Sequence, residues 1–257
     1  MQLEAVVLVA YLTVASIITY LLLNRLLWRG ERDWVFIGVG YMILALILQY
    51  PAQQAPFIVL LLSHLRSITD LSSIISSVVK PNIYLISIYM GSLAGIFQET
   101  ARYFAVKDRA MEASLYVGYG FALIDIAVAV MGSLATLIIP NNLNITITTM
   151  GVISLVGLLL QPLVSFLFHP GASMMLRSMQ ANGHGLRGLI AVTTAHAYMD
   201  SFLEYLDLAI VFGVITSYGD VLKLSLVYFI SITIIPALIF SYGLRALRKL
   251  TFTSNAP

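Results

Sequence analysis

The sequence predicts an all-α fold, a polytopic transmembrane helix bundle, on three observations. Sixty per cent of the 257 residues are hydrophobic and only 10% are charged, with a mean hydropathy of +0.93, outside the range of soluble domains. Seven apolar runs approach or exceed the ~20 residues that a membrane-spanning helix needs. Lysine and arginine also collect in alternate connections, as the positive-inside rule requires of a multi-pass chain.

The runs follow in order at 3–26, 34–50, 83–106, 114–139, 147–172, 188–215 and 221–244. The first begins with Glu4 and lacks both a basic leader and a small-residue cleavage site, so it reads as a retained helix. Between the second and third runs, Phe57–Leu65 is apolar but too short to cross, and Arg66, Asp70 and several serines follow. The stretch 52–80 is therefore expected to form a re-entrant or interfacial helical segment, with an eighth span as the alternative. Pro51, Pro81, Pro140 and the His169-Pro170-Gly171 step read as helix breakers. Gly38, Gly40, Gly91, Gly95, Gly118, Gly120 and Gly132 are expected to permit close helix approach, and Trp28, Trp34 and Tyr103 to anchor at the interface. One membrane domain, 1–257, is the simplest division, with a core bundle over 34–215 and flanking spans at 3–26 and 221–244.

Arg25, Arg29, Arg32, Lys107, Arg109, Arg177, Arg187, Arg245, Arg248 and Lys249 fall on one side of these spans, and Arg66, Lys80 and Lys223 on the other. That asymmetry puts the N-terminus outside and the C-terminus in the cytoplasm of a cell-membrane protein. The formal net charge of +2 is too small to suggest nucleic acid. With no cysteine, disulfides, thiolate metal sites and cysteine nucleophiles are excluded. Asn144-Ile145-Thr146 matches a glycosylation acceptor on the outer side.

Ionisable residues inside such runs need a reason, since each costs about 2.5–3.5 kcal/mol at a helix centre. Glu99 and Arg102 are spaced i,i+3 and His196 and Asp200 i,i+4, so each pair shares a helix face. Counted from the expected span ends at ~1.5 Å per residue, Glu99 and His196 lie roughly 10 and 12 Å below the cytoplasmic surface. His169, three residues from its expected span end, is shallower in the same leaflet. Asp200, Glu204 and Asp207 continue the His196 face, and Asp125 sits mid-span, which implies a hydrated cavity. Such a set suits hydrolysis. Glu99 can act as general base for a water, His169, His196 and Asp200 can bind that water or, with Glu99, Zn2+ or another divalent metal, and Arg102 can fix Glu99 or neutralise an oxyanion.

The segment Gly95-Ile-Phe-Gln-Glu-Thr-Ala-Arg102-Tyr resembles the Glu-Glu-x-x-Arg-type motif of the YhfC family. Gly118-Tyr-Gly-Phe-Ala-Leu-Ile-Asp125, His169 and His196-Ala-Tyr-Met-Asp200 are similar to its later motifs. The wider superfamily includes the CAAX- and bacteriocin-processing membrane proteases, PrsW and the anterior-pharynx-defective scaffold subunit of gamma-secretase. The resemblance covers roughly residues 34–215. It implies a seven- or eight-helix intramembrane fold with Glu99, His169, His196 and Asp200 as the catalytic or metal-binding set. The chain departs from the pattern at Gln98, where the proteases carry a first glutamate, and at Phe121, where a histidine often stands, with Asp125 replacing a glutamate.

The expected function is an intramembrane protease cutting a membrane-embedded or lipid-tailed peptide in the cytoplasmic leaflet. The alternative is a non-catalytic scaffold that holds partner transmembrane helices and uses the polar cluster structurally; a third reading is proton or cation conduction along the His196–Asp207 stripe. Membrane lipids are partners in every case. His64 and His184 are expected to be solvated in loops.

Overall fold

In a computed structural model of the protein, the described residues are Val7, 10–19, Leu21, 33–64, 75–138 and 147–253. They form seven α-helices with no strand among them: α1 (Ala10–Thr19), α2 (Asp33–His64), α3 (Ile83–Val106), α4 (Met111–Ile138), α5 (Ile147–Ala181), α6 (Gly185–Val211) and α7 (Tyr218–Thr253). A π-helical turn, Ile75–Val79, and a 3-10 turn, Lys80–Asn82, lead into α3. Most of the expected 3–26 span, the 65–74 stretch, Trp28, Pro140, Asn144-Ile145-Thr146 and the side chain of His64 lie outside the described residues.

Four helical segments are long and apolar enough to cross a membrane: Asp33–Pro56, Met111–Gly132, Leu159–Ala181 and Tyr218–Lys249. The helices α3 and α6, of 24 and 27 residues, have ample length; the charges they bring to the interior lower their average hydropathy. Large apolar side chains such as Ile47, Leu85 and Leu238 face outward, as they would toward lipid, and polar groups are buried at the centre.

Two boundaries differ from expectation. The helix α2 continues through Pro51 and Pro56 to His64, so 52–64 belongs to the same helix as 34–50 rather than to a separate helical segment. The helix α5 runs through Pro162 and Pro170 to Ala181. Each proline removes one backbone donor, and packing against neighbouring helices with local adjustment sustains the helix through it. His169 is therefore twelve residues from its helix end rather than three, roughly 18 Å, and is buried inside the bundle.

Close backbone contacts position the site. A Cβ on Gly91 of α3 would lie 2.2 Å from the Ser201 nitrogen of α6, and one on Gly118 of α4 would lie 2.3 Å from the Pro170 Cα of α5. These contacts bring Glu99 against His196 and Asp125 against His169. Gly40 and Gly132, by contrast, face open space. We expect Gly118→Ala to cost about 1–3 kcal/mol, the usual penalty for overpacking, read as a lower melting temperature of the purified protein; an unchanged melting temperature would contradict this packing.

Candidate functional site

Four helices contribute to one buried polar chain. Arg102 on α3 donates from NH1 to both Glu99 oxygens, at 2.7 and 2.6 Å, and both side chains are fully buried. The Glu99 Oε1 also lies 2.6 Å from Nδ1 of His196 on α6. On its other side, Arg102 NH2 contacts Nδ1 of His169 on α5, whose Nε2 lies 3.3 Å from Asp125 Oδ2 on α4. The His196 Nε2 lies 3.5 Å from Asp200 Oδ2. The chain therefore reads Asp125, His169, Arg102, Glu99, His196, Asp200.

Donor chemistry fixes much of the protonation. A guanidinium only donates, so His169 accepts at Nδ1 and carries its proton on Nε2, toward Asp125. A carboxylate only accepts, so His196 donates from Nδ1 to Glu99, and its Nε2 faces Asp200. The guanidinium carbon lies 4.6 Å from the Phe121 ring centre and 5.5 Å from that of Phe168, and such aromatic faces favour a desolvated cation. Phe121 is thus a wall of the Arg102 site.

A cavity of about 460 Å3 adjoins this chain and is lined by Asp125, His169, His196 and Asp200, but not by Glu99 or Arg102, which lie behind the histidines. Its other lining residues point in one direction. On α3 they precede Glu99 (Met90, Ala94), on α5 they precede His169 (Gln161, Ser165), and on α6 they follow His196 (Leu203, Glu204). The cavity thus extends away from the basic end marked by Lys107, Arg109 and Arg177. The expectation had the site reached from that basic end, which the Lys/Arg count assigns to the cytoplasm; such a count carries nothing about the side on which space is left.

Sequence reasoning missed the amides and hydroxyls of Gln49, Gln53, Gln161 and Ser165 that surround this chain. Ser165 donates to Asp125 Oδ2 at 2.5 Å and Gln161 donates to the same oxygen at 2.8 Å. Gln98 Nε2 donates to Gln49 Oε1 at 3.0 Å, Gln49 Nε2 to Gln53 Oε1 at 3.2 Å, and Gln53 Nε2 to the Met90 carbonyl at 2.8 Å. The signal was present as i,i+4 polar pairs, Gln49/Gln53 and Gln161/Ser165, inside apolar runs. Glu204 lines the cavity, whereas Asp207 does not. His184 is exposed next to the start of α6, as expected.

The arrangement does not fit a divalent ion held jointly by Glu99, His169, His196 and Asp200. The Arg102 guanidinium stands between Glu99 and His169 and engages both, so these two side chains cannot share one ion. Among the described residues, no three His, Asp or Glu side chains converge as a metal cage. The fixed positive charge of Arg102 also forms a barrier at the inner end of the acid stripe, which disfavours cation conduction through it.

No protein family, curated protein or solved structure matches this chain.

Proposed function

We propose that the protein is a multi-pass cell-membrane hydrolase that cleaves an amide bond in a membrane-embedded or lipid-tailed peptide, with His196 as general base. One observation carries this reading: His196 presents Nε2 to the cavity while a fully buried carboxylate, Glu99, holds its Nδ1. A carboxylate so placed orients the imidazole and stabilises the imidazolium that forms when the base takes a proton. In the step, His196 Nε2 takes a proton from water as the oxygen bonds to the carbonyl carbon. That proton then passes to the amide nitrogen as the carbon–nitrogen bond breaks, leaving an acid and an amine. Asp200 positions the water, Arg102 holds Glu99 ionised, and Asp125 holds His169 at the cavity wall. Glu99 thereby moves from the base expected of it to a positioning residue. Cleavage of a quenched fluorescent peptide in lipid nanodiscs, by wild type and by His196→Ala, tests the reading.

The proposed topology keeps seven spans with the N-terminus outside, so the cavity opens toward the non-cytoplasmic face. Since the chain has no cysteine, this can be tested cleanly. A membrane-impermeant cationic thiosulfonate should modify Leu203→Cys from outside and Lys107→Cys only from the cytoplasmic side; the opposite pattern would overturn the orientation.

A second reading, a non-catalytic scaffold, is favoured by a specific feature: the Glu99–Arg102 pair lies out of contact with the cavity, as a purely structural pin would. Under it, substitutions in the chain change stability or partner binding, and the wild type cleaves nothing.

A further inference from the structure

We infer that Tyr228 on α7 is the hydrogen-bond donor that meets the oxyanion formed in the cavity. The inference rests on the hydrolase reading and adds to it a residue from beyond 34–215, the stretch that carries the family resemblance. The need is chemical. When water adds to the carbonyl carbon and His196 Nε2 takes its proton, the carbonyl π pair moves onto oxygen, which becomes negative. A donor aimed at that oxygen is usually the largest single source of rate in such a step. Among the described residues no lysine or arginine lines the cavity, and Arg102 lies behind the histidines, so the donor has to be neutral.

The neutral donors that line the cavity can be taken in turn. His169 Nε2, Ser165 and Gln161 point at Asp125. Gln98 donates to Gln49, Gln49 to Gln53 and Gln53 to the Met90 carbonyl, and Glu99 holds Nδ1 of His196. Tyr50 and Gln54 are exposed side chains at the rim. Tyr228 remains. It lines the cavity, is only 7% exposed, and its hydroxyl has no hydrogen-bond partner among the described residues. A buried phenol usually finds a partner within the protein, so one without a partner has a donor to offer.

The position of the group supports the same role. The phenolic oxygen is not sealed in protein, as the unpartnered Gln98 Oε1 is, and so keeps accessible surface. The carboxylates that act on it are, in order of strength, those of Asp200, Asp207 and Asp125. Asp200 also lies 3.5 Å from His196 Nε2, so the phenol and the base share a neighbour. The Tyr228 ring is held edge-on by Phe202 of α6, with 5.6 Å between ring centres, which fixes its direction before substrate arrives. A phenol keeps its proton at neutral pH and brings no charge into an acid-lined space. That proton stays on Tyr228 throughout: the hydroxyl donates to the oxyanion, and the carbonyl then re-forms as the carbon–nitrogen bond breaks and His196 returns its proton to nitrogen.

The test uses the full-length protein in lipid nanodiscs and a peptide that the wild type cleaves, made with the scissile carbonyl oxygen and again with sulfur in its place. Sulfur is a weak acceptor, so the swap should slow the wild type more than a protein with no donor at that atom. Tyr228→Phe should lower kcat by about 10^2–10^3-fold, leave KM within about twofold, and shrink the sulfur penalty at least tenfold. Its melting temperature should not fall, since the hydroxyl has no protein partner and phenylalanine keeps the Phe202 contact. Tyr242→Phe, exposed on α7 and outside the cavity lining, should cleave as the wild type does. Should Tyr228→Phe melt lower, the sulfur penalty still decides, because it is a ratio taken within each protein. Wild-type kcat in a folded Tyr228→Phe protein, or an equal sulfur penalty in both proteins, would overturn the role of Tyr228 while leaving the hydrolase reading to His196→Ala. Absence of any cleavage by the folded wild type would remove both together.

Discussion

Arg102→Met should lower the stability of the bundle by about 3–5 kcal/mol, the range found when one member of a buried ion pair is removed and its partner is stranded. The reason lies in how many groups depend on one guanidinium. Arg102 neutralises Glu99 through NH1 and supplies the proton that His169 Nδ1 accepts through NH2. Its loss leaves a fully buried carboxylate facing only His196, and the faces of Phe121 and Phe168 have no cation to stack on. Methionine fills a similar volume, so cavity formation contributes little. Glu99→Gln/Arg102→Met, which removes both charges, should recover much of the loss, because replacing a buried pair by neutral groups is often close to neutral in stability. Denaturant unfolding in mixed micelles reads both effects; equal destabilisation by the single and double variants would show that charge pairing is not what holds these helices.

The second large effect falls on chemistry rather than on fold. We expect His196→Ala to reduce cleavage by about 10^2–10^4-fold, the usual contribution of a positioned general base, while lowering stability far less than Arg102→Met. The side chain is near the cavity wall, so water can partly replace it, and the Arg102–Glu99 contact survives. Glu99→Gln should also lower turnover, because a neutral amide stabilises the imidazolium less well; its amide can still accept from Nδ1, so its effect should be smaller than loss of the imidazole. A scaffold would show only stability changes in the same variants, so turnover and melting measured together divide the two readings.

The all-helical fold with long apolar helices and the main polar residues were legible in the sequence, because charge in an apolar run is costly wherever it lies. Glu99, Arg102, His196 and Asp200 stood out on that ground, and the structure brings them together with His169 and Asp125. Helix ends were less legible. Pro51 and Pro170 break helices in water, where the freed carbonyl can turn to solvent, but α2 and α5 continue through them. That misplaced end put His169 three residues from a helix end that lies twelve residues away. Gln49, Gln53 and Gln161 escaped notice because an uncharged amide barely alters a hydropathy average, although Gln49 and Gln53 share a helix face. Phe121 read as ordinary core, and its place under the guanidinium depends on α4 packing beside α3, which no local pattern encodes. The direction of the cavity was equally hidden: it is set by side chains from six helices at once.

The central claim is that His196 works as a base at the cavity wall, held by Glu99 from behind. Mass-spectrometric detection of cleavage products from membrane-embedded peptides in lipid nanodiscs, by wild type and by His196→Ala with matched melting temperatures, tests it most directly. The account predicts a defined scissile bond for the wild type and at least a hundredfold slower cleavage by the variant. Cleavage by His196→Ala at the wild-type rate, or no cleavage by a folded wild type across a broad peptide set, would contradict it.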